Sequence, residues 1–193
     1  MAAVRGHVAV VKALLAAGAR ADLRTSTDGE FPAEFKGKTA YELAVAEPIR
    51  ALLLRQASQG EKDKGLRKEA ANGRALGVKR HLRAGAAIDA ASSNGFNALL
   101  GAAINGHADV VEALVAAGAD VDAENEDGGT ALMLAAGSGH EAIVVALLGS
   151  GADAAPRNKN GKSALDLSRK WQDRQWIMVE ALQKAAARSK HEL

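Results

Sequence analysis

Short apolar blocks recur along this chain, each about two helical turns long and each bounded by Gly, Asp or Asn. Residues 130–136 place Leu132, Ala135 and Ala136 on one helical face. Residues 141–148 repeat that pattern with branched aliphatic side chains. The spacing predicts pairs of short helices that bury one face each.

The ends of these predicted helices carry their own signals. Thr130 can cap the helix that follows it, because its hydroxyl can accept a backbone N–H of the first turn. Gly139 and Gly151 stand just past two predicted helix ends, where a left-handed backbone is needed. Asn160-Gly161 is a strong turn pair. Each unit therefore reads as helix, turn, helix and a turn-rich segment.

The units recur with one period. Three glycine series share a spacing of 33 residues, which chance composition does not produce. The series are Gly73, Gly106 and Gly139; Gly85, Gly118 and Gly151; and Gly95, Gly128 and Gly161.

This pattern resembles the ankyrin repeat. The matching residues are 128–136, Gly139-His140, Ile143-Val144, Leu147-Leu148 and 151–153, and the unit at 94–124 matches equally well. The resemblance implies an all-α solenoid of about five to six stacked repeats, the first truncated, with β-turn fingers projecting from one edge. It covers nearly the whole chain and is weaker at the ends and between about 25 and 83.

The N-terminal third departs from this register. Residues 1–58 are predicted to hold a partial first repeat, a long finger insertion at 25–36, and a shortened second repeat with helices at 39–46 and 48–55. A polar, linker-like joint at 59–64 precedes a second group of repeats at 65–187, which ends in a capping unit closed by Trp171 and Trp176. Residues 188–193 are predicted to be a frayed tail. Whether the two groups form one stack stays open, and the start halfway through a helix suggests chain upstream of Met1.

Composition narrows the classes of function. The absence of Cys excludes disulfide scaffolds, Cys-ligated zinc and thiol catalysis. No run of 18 apolar residues predicts a membrane span, and the apolar N-terminus is better explained as part of a repeat than as a signal peptide. We expect an intracellular protein, cytoplasmic or nuclear.

Charge is unevenly distributed although the net charge is only +2. Residues 84–156 contain ten acids and no Lys or Arg, and basic residues crowd on either side. These basic flanks could attract nucleic acid or anionic lipid. The aromatic residues used for base stacking are missing, so a solvated surface is the preferred interpretation.

Two segments end like a phosphate-binding loop, Gly37-Lys38-Thr39 and Gly161-Lys162-Ser163. Each has Pro where that loop needs its first Gly, at positions 32 and 156, and Pro has no N–H to offer a phosphate. Thr39 and Ser163 are therefore predicted to cap helices.

Metal sites and catalytic groups are not indicated either. The acidic segment 120–131 lacks the Gly and Glu that a calcium loop needs at its sixth and twelfth places. His7, His107 and His140 follow Gly at one repeat position, which predicts a structural hydrogen bond in successive repeats rather than a metal cluster. We expect no cofactor, no small-molecule substrate and no enzymatic activity.

The resemblance implies a partner-binding surface on the concave face and the fingers. The residues it assigns there are Asn94, Phe96, Leu100, Ile104, Glu124, Glu126, Asp127, Met133, Arg157, Lys159, Lys162, Asp166 and Lys170. Phe96, Leu100 and Met133 are expected to be exposed apolar anchors. Phe31 and Phe35 lie in the finger insertion, where they either fold the long finger back on itself or contact a partner.

The leading hypothesis is a non-enzymatic interaction module or scaffold that binds another protein through this surface. Two alternatives stay open. The chain could be a regulatory part of a larger enzyme or channel, or it could bind nucleic acid or lipid through its basic flanks.

Overall fold

A computed structural model of the protein describes residue 12, residues 47–171 and residues 176–189. Every regular element in these ranges is helical, which confirms the predicted all-α fold. The helices are α1 (Glu47–Gln56), α2 (Gln59–Ala71), α3 (Ala75–Arg83), α4 (Ala98–Ile104), α5 (Ala108–Ala116), α6 (Ala131–Ser138), α7 (Glu141–Gly149), α8 (Ala164–Ser168), a 3-10 turn (Arg169–Trp171) and α9 (Trp176–Ser189).

The chain divides into two compact units. The first comprises Met1–Lys62 and Arg80–Ala86, and the second comprises Asp63–Lys79 and Ala87–Leu193. The predicted helix at 48–55 is observed as α1. The predicted helix at 39–46 and the finger insertion at 25–36 lie outside the described residues.

Residues 59–64, predicted to be a linker-like joint, form the first half of α2, and the division between the two units falls within them, between Lys62 and Asp63. The Lys62 N–H donates to the Ser58 carbonyl at 3.1 Å, and Glu61 lies in the first turn, where the helix dipole favours a carboxylate. The polar composition of this segment belongs to a helix with few buried residues. At the other end, α9 continues to Ser189, two residues into the predicted tail.

Within the first unit, α1 buries Ile49, Leu53 and Leu54. His81 is fully buried in the same unit, and its Nδ1 lies 3.0 Å from the Lys62 carbonyl. Burial, and secondarily the charge of Arg80, lowers the pKa of His81 to about 4. This histidine is therefore neutral at pH 7.

The second unit is a stack of helix pairs. The first helices of each pair, α4, α6 and α8, pack side by side, and the second helices, α5, α7 and α9, form a parallel row. Leu114, Leu147 and Leu182 project from the second row and are fully buried. No single pair could bury both of its faces, so each repeat depends on its neighbours for a core.

The predicted caps are observed at the starts of the first helices. Thr130 and Ser163 accept backbone N–H groups of Met133 and Asp166. Asn97, at the equivalent place one repeat earlier, accepts the Leu100 N–H at 2.9 Å. All three side chains are buried, and each accepts a first-turn N–H that has no partner within its own helix.

The three glycine series are confirmed as backbone requirements. Among the described residues, the positive φ angles fall on the nine glycines of those series and on no other residue. Gly139, for example, ends α6 with φ of 80°. The period of 33 residues is thus a period of backbone conformation.

Candidate interaction surface

Three fingers join the helix pairs of the second unit: finger 1 (87–97), finger 2 (120–130) and finger 3 (153–163). Each is closed at its tip by a backbone hydrogen bond. These bonds run from Ser92 N–H to the Phe96 carbonyl at 2.9 Å, from Asn125 N–H to the Gly129 carbonyl at 3.1 Å, and from Asn158 N–H to the Lys162 carbonyl at 3.0 Å. The tips are therefore ordered turns.

Neighbouring tips are bonded to each other through their backbones. The Glu126 N–H donates to the Asn94 carbonyl at 3.3 Å, and the Lys159 N–H donates to the Asp127 carbonyl at 2.8 Å. These bonds fix the acidic tip of finger 2 directly beside the basic tip of finger 3.

Two asparagines organise fingers 2 and 3 from within. The Asn125 carboxamide oxygen accepts the N–H groups of Asp127 at 3.0 Å and Gly129 at 2.8 Å. The Asn158 oxygen accepts those of Asn160 and Lys162, each at 3.0 Å. Sequence reasoning missed this role, although the spacing of 33 between Asn125 and Asn158 was available as its signal.

A series of aspartate side chains bonds the base of each finger to the preceding repeat. Asp63, Asp89 and Asp122 accept the backbone N–H groups of Ala87, Asp120 and Asp153 at 2.7, 3.1 and 2.9 Å respectively. The series ends at Ala155, 33 residues after Asp122. Part of the acidic charge of this region therefore holds the repeats together.

Histidines form a second series between repeats. His107 Nε2 lies 3.1 Å from the Ala71 carbonyl, and His140 Nε2 lies 3.1 Å from the Ile104 carbonyl. Since a carbonyl can only accept, each Nε2 carries the proton in this bond. The predicted structural hydrogen bond is confirmed for these two residues, whereas His7 lies outside the described residues.

Trp171 takes the histidine's place in the last repeat. Its Nε1–H donates to the Gly137 carbonyl at 3.3 Å, and its ring lies over Gly139 as the rings of His107 and His140 lie over Gly73 and Gly106. The sequence predicted a closing role for Trp171, although the residue 33 places after His140 is Asp173. The side chain of Trp176 is outside the described residues.

Two of the predicted anchors are not on the surface. Leu100 is 1% exposed and Met133 is 2% exposed, so the expectation that they face solvent is wrong. Both stand three residues after a capping residue, on the side of α4 and α6 that packs into the stack. Phe96 is half-buried and Ile104 is 37% exposed, while Phe31 and Phe35 lie outside the described residues.

Arg157 and Asp166 are engaged with each other. Arg157 Nη1 donates to Asp166 Oδ2 and to the Gly161 carbonyl, both at 2.8 Å. Asp166 also forms a capping box with Ser163, and these bonds, foremost that from the Ser163 N–H, lower the pKa of Asp166 to about 2. Both residues, predicted to contact a partner, thus stabilise finger 3 and the start of α8.

The remaining predicted residues are exposed. Lys170 is placed over the Trp171 ring, with Nζ 5.1 Å from the ring centroid. The others occupy finger tips: Asn94, Glu124, Glu126, Asp127, Lys159 and Lys162. In the described ranges, no three His, Asp or Glu side chains come together as metal ligands, and no helix has the length and hydrophobicity needed to cross a membrane.

Comparison with known proteins supports the repeat assignment. The family model for ankyrin repeats (3 copies) matches residues 66–158 and, in an overlapping register, residues 102–190. No curated protein matches the chain significantly. The glycine backbone series, the stacked helix pairs and these matches lead to one conclusion: the chain belongs to the ankyrin-repeat family.

Proposed function

We propose that this protein is a non-enzymatic scaffold that binds a protein partner through the tips of fingers 2 and 3. Ankyrin repeats are generally protein-interaction modules, and the family is typically non-enzymatic.

The observation that carries the proposal is a pair of opposite charge clusters on adjacent tips. The acidic cluster comprises Glu124, Glu126 and Asp127, and the basic cluster comprises Lys159 and Lys162. All five side chains are exposed, and none forms an ion pair within the part of the chain that the structure describes. The stack uses other groups, so these charges are not needed for folding.

The backbone beneath the clusters is already ordered. The internal Asn125 and Asn158 bonds and the Lys159–Asp127 backbone bond hold both tips before any partner arrives. A preorganised surface loses little conformational entropy on binding. Charge complementarity then supplies specificity and a faster association rate. The partner we expect presents a basic patch beside an acidic one.

The experiment starts from a partner captured with the wild-type protein and then purified. Affinity is measured by isothermal titration calorimetry for Glu126→Gln/Asp127→Gln, for Lys159→Gln/Lys162→Gln and for a control, Lys79→Gln, at an exposed position of α3. Each finger variant should weaken binding by roughly 5- to 50-fold, on the order of 1–2 kcal/mol, and the control should not. Wild-type affinity in both finger variants would refute the proposal.

A further inference from the structure

The outer faces of the second helices depart from the repeat at one position. Three segments align as Val-x-Ala-Leu, beginning at Val111, Val144 and Val179. The Val and the Leu of each segment are buried. The variable second place is Glu112 on α5 and Glu180 on α9, but it is Val145 on α7.

Val145 is 46% exposed, so packing does not account for it. On α9, Ile177 is 47% exposed at the place where α5 carries Asp109. Since α7 packs against α9, two exposed aliphatic residues stand on neighbouring helices where the repeat tolerates carboxylates. Single exposed aliphatic residues are common on protein surfaces, so Val145 and Ile177 gain significance from the apolar groove next to α7.

A groove lies between α5 and α7, and Ala146, the residue after Val145, lines it. Its lining is mostly apolar and consists of Val111, Glu112, Val115, Ala116, Ala146 and Ser150. The Ser150 hydroxyl donates to the Ala146 carbonyl at 2.8 Å, so its proton is already hydrogen-bonded without a ligand. The groove therefore offers a mainly apolar surface between the two helices.

The rim of the groove is acidic. Asp109 and Glu112 are exposed on one face of α5, three residues apart. Glu112 makes no ion pair among the described residues, and Ala116 occupies the place four residues on. Glu180, by contrast, is paired with Lys184 at 2.6 Å. No Lys or Arg occurs between residues 84 and 156 to offset the charge of this rim.

We propose that this outer groove is a second docking site, separate from the finger tips. Its occupant is a segment of a protein partner that carries an aliphatic side chain flanked by Lys or Arg. The aliphatic group covers Val145 and enters the groove, and the basic group pairs with Glu112. The negative rim and the apolar floor together select this chemistry over an acidic or a purely polar segment.

The probe is a synthetic amphipathic peptide built from Leu and Lys, compared with a Leu–Glu counterpart of equal length. Binding to the full chain is measured by fluorescence anisotropy and located by NMR chemical-shift changes. Val145→Gln should weaken Leu–Lys binding about five- to tenfold, because the half-exposed Val contributes only part of a full burial term. Glu112→Gln should weaken binding and reduce its salt dependence. Glu180→Gln, at the equivalent place on α9 and already paired with Lys184, is the matched control and should leave binding unchanged.

Four outcomes would overturn the proposal: equal binding of the Leu–Glu peptide, no effect of Val145→Gln, shift changes confined to the fingers, or self-association of the free protein that Val145→Gln abolishes. If Val145→Gln fails to fold, the near-isosteric Val145→Thr takes its place, with a smaller loss of affinity expected. Failure here leaves the finger-tip proposal standing, because that proposal depends on other residues and on a different variant set.

Discussion

The glycines between the helices of each pair offer the sharpest test of the stack. Gly106 has φ of 80°, and a Cβ placed on it would lie 2.6 Å from Cε1 of His140 in the next repeat. Gly118 has a similar φ of 89°, but a Cβ there meets nothing within 4 Å. Replacing either glycine by Ala therefore imposes the same kind of backbone strain. Only the Ala at position 106 would also collide with the His140 ring.

The two substitutions should differ in cost. A left-handed conformation costs Ala about 1–2 kcal/mol, offset by about 0.4–1 kcal/mol because Ala restricts the unfolded chain. Gly118→Ala should therefore lower the free energy of unfolding by about 1 kcal/mol. Gly106→Ala must also displace the His140 ring and lose its bond to the Ile104 carbonyl, which adds roughly 1–3 kcal/mol.

Urea denaturation followed by circular dichroism measures both costs. The double variant Gly106→Ala/His140→Ala completes a cycle: with the ring removed, the cost of the Gly106→Ala substitution should fall to that of Gly118→Ala. Equal destabilisation by Gly106→Ala and Gly118→Ala would refute the idea that the histidine rings lock one repeat onto the next.

Three further predictions concern the core and the titrating groups. Leu114→Ala should lower the free energy of unfolding by about 2–5 kcal/mol, since Leu114 is fully buried, as measured by urea denaturation. His81 has a pKa of about 4 in the folded protein against 6.5 in the unfolded chain, so the folded state favours its neutral form. The free energy of unfolding should be highest above pH 6.5 and should fall by up to about 3 kcal/mol as pH drops from 6.5 towards 4. His81→Gln should flatten the dependence of the unfolding free energy on pH in that range. Asp166 has a pKa of about 2 in the folded protein against 3.8 in the unfolded chain, so its charged form stabilises the fold above pH 3.8. The melting temperature of Asp166→Asn should therefore lie below that of the wild type at pH 7. This difference in melting temperature should close as pH falls towards 2.

The contrary results are equally definite. A Leu114→Ala variant as stable as the wild type would remove Leu114 from the core. An unchanged pH profile in His81→Gln would mean that another group governs acid stability. A gap in melting temperature that persists at pH 2 would show that Asp166 acts through something other than its charge.

The sequence predicted those parts of the fold that depend on local chemistry. The glycine series, the caps at Thr130 and Ser163 and the helix pairs follow from backbone sterics and short-range hydrogen bonding, which act within one repeat. The histidine bonds were predicted because His107 and His140 occupy the same place in successive repeats.

Features that depend on contacts between repeats were harder to predict. Leu100 and Met133 were assigned to the surface by resemblance to the repeat, but both are buried in the stack. Trp171 occupies the histidine place although it stands two residues before position 173, where the 33-residue register would put a histidine. Charge pattern alone could not separate Asp122 and Asp166, which hold the structure, from Glu126 and Asp127, which do not.

The helical structure of the predicted joint at 59–64 was missed for a different reason. Polar residues there suggested an unstructured joint, yet Lys, Glu and Gln have high helix propensity and need no burial to continue a helix. Polarity indicates exposure, and it does not distinguish an exposed helix from a coil.

The central claim is that the finger tips, and not the stack beneath them, contact the partner. Hydrogen–deuterium exchange of the complex with the captured partner tests it most directly. The proposal predicts slower exchange at residues 124–129 and 157–162 on binding, with little change in α6 and α8 behind them. Slower exchange confined to the helices, with both tips unchanged, would contradict it.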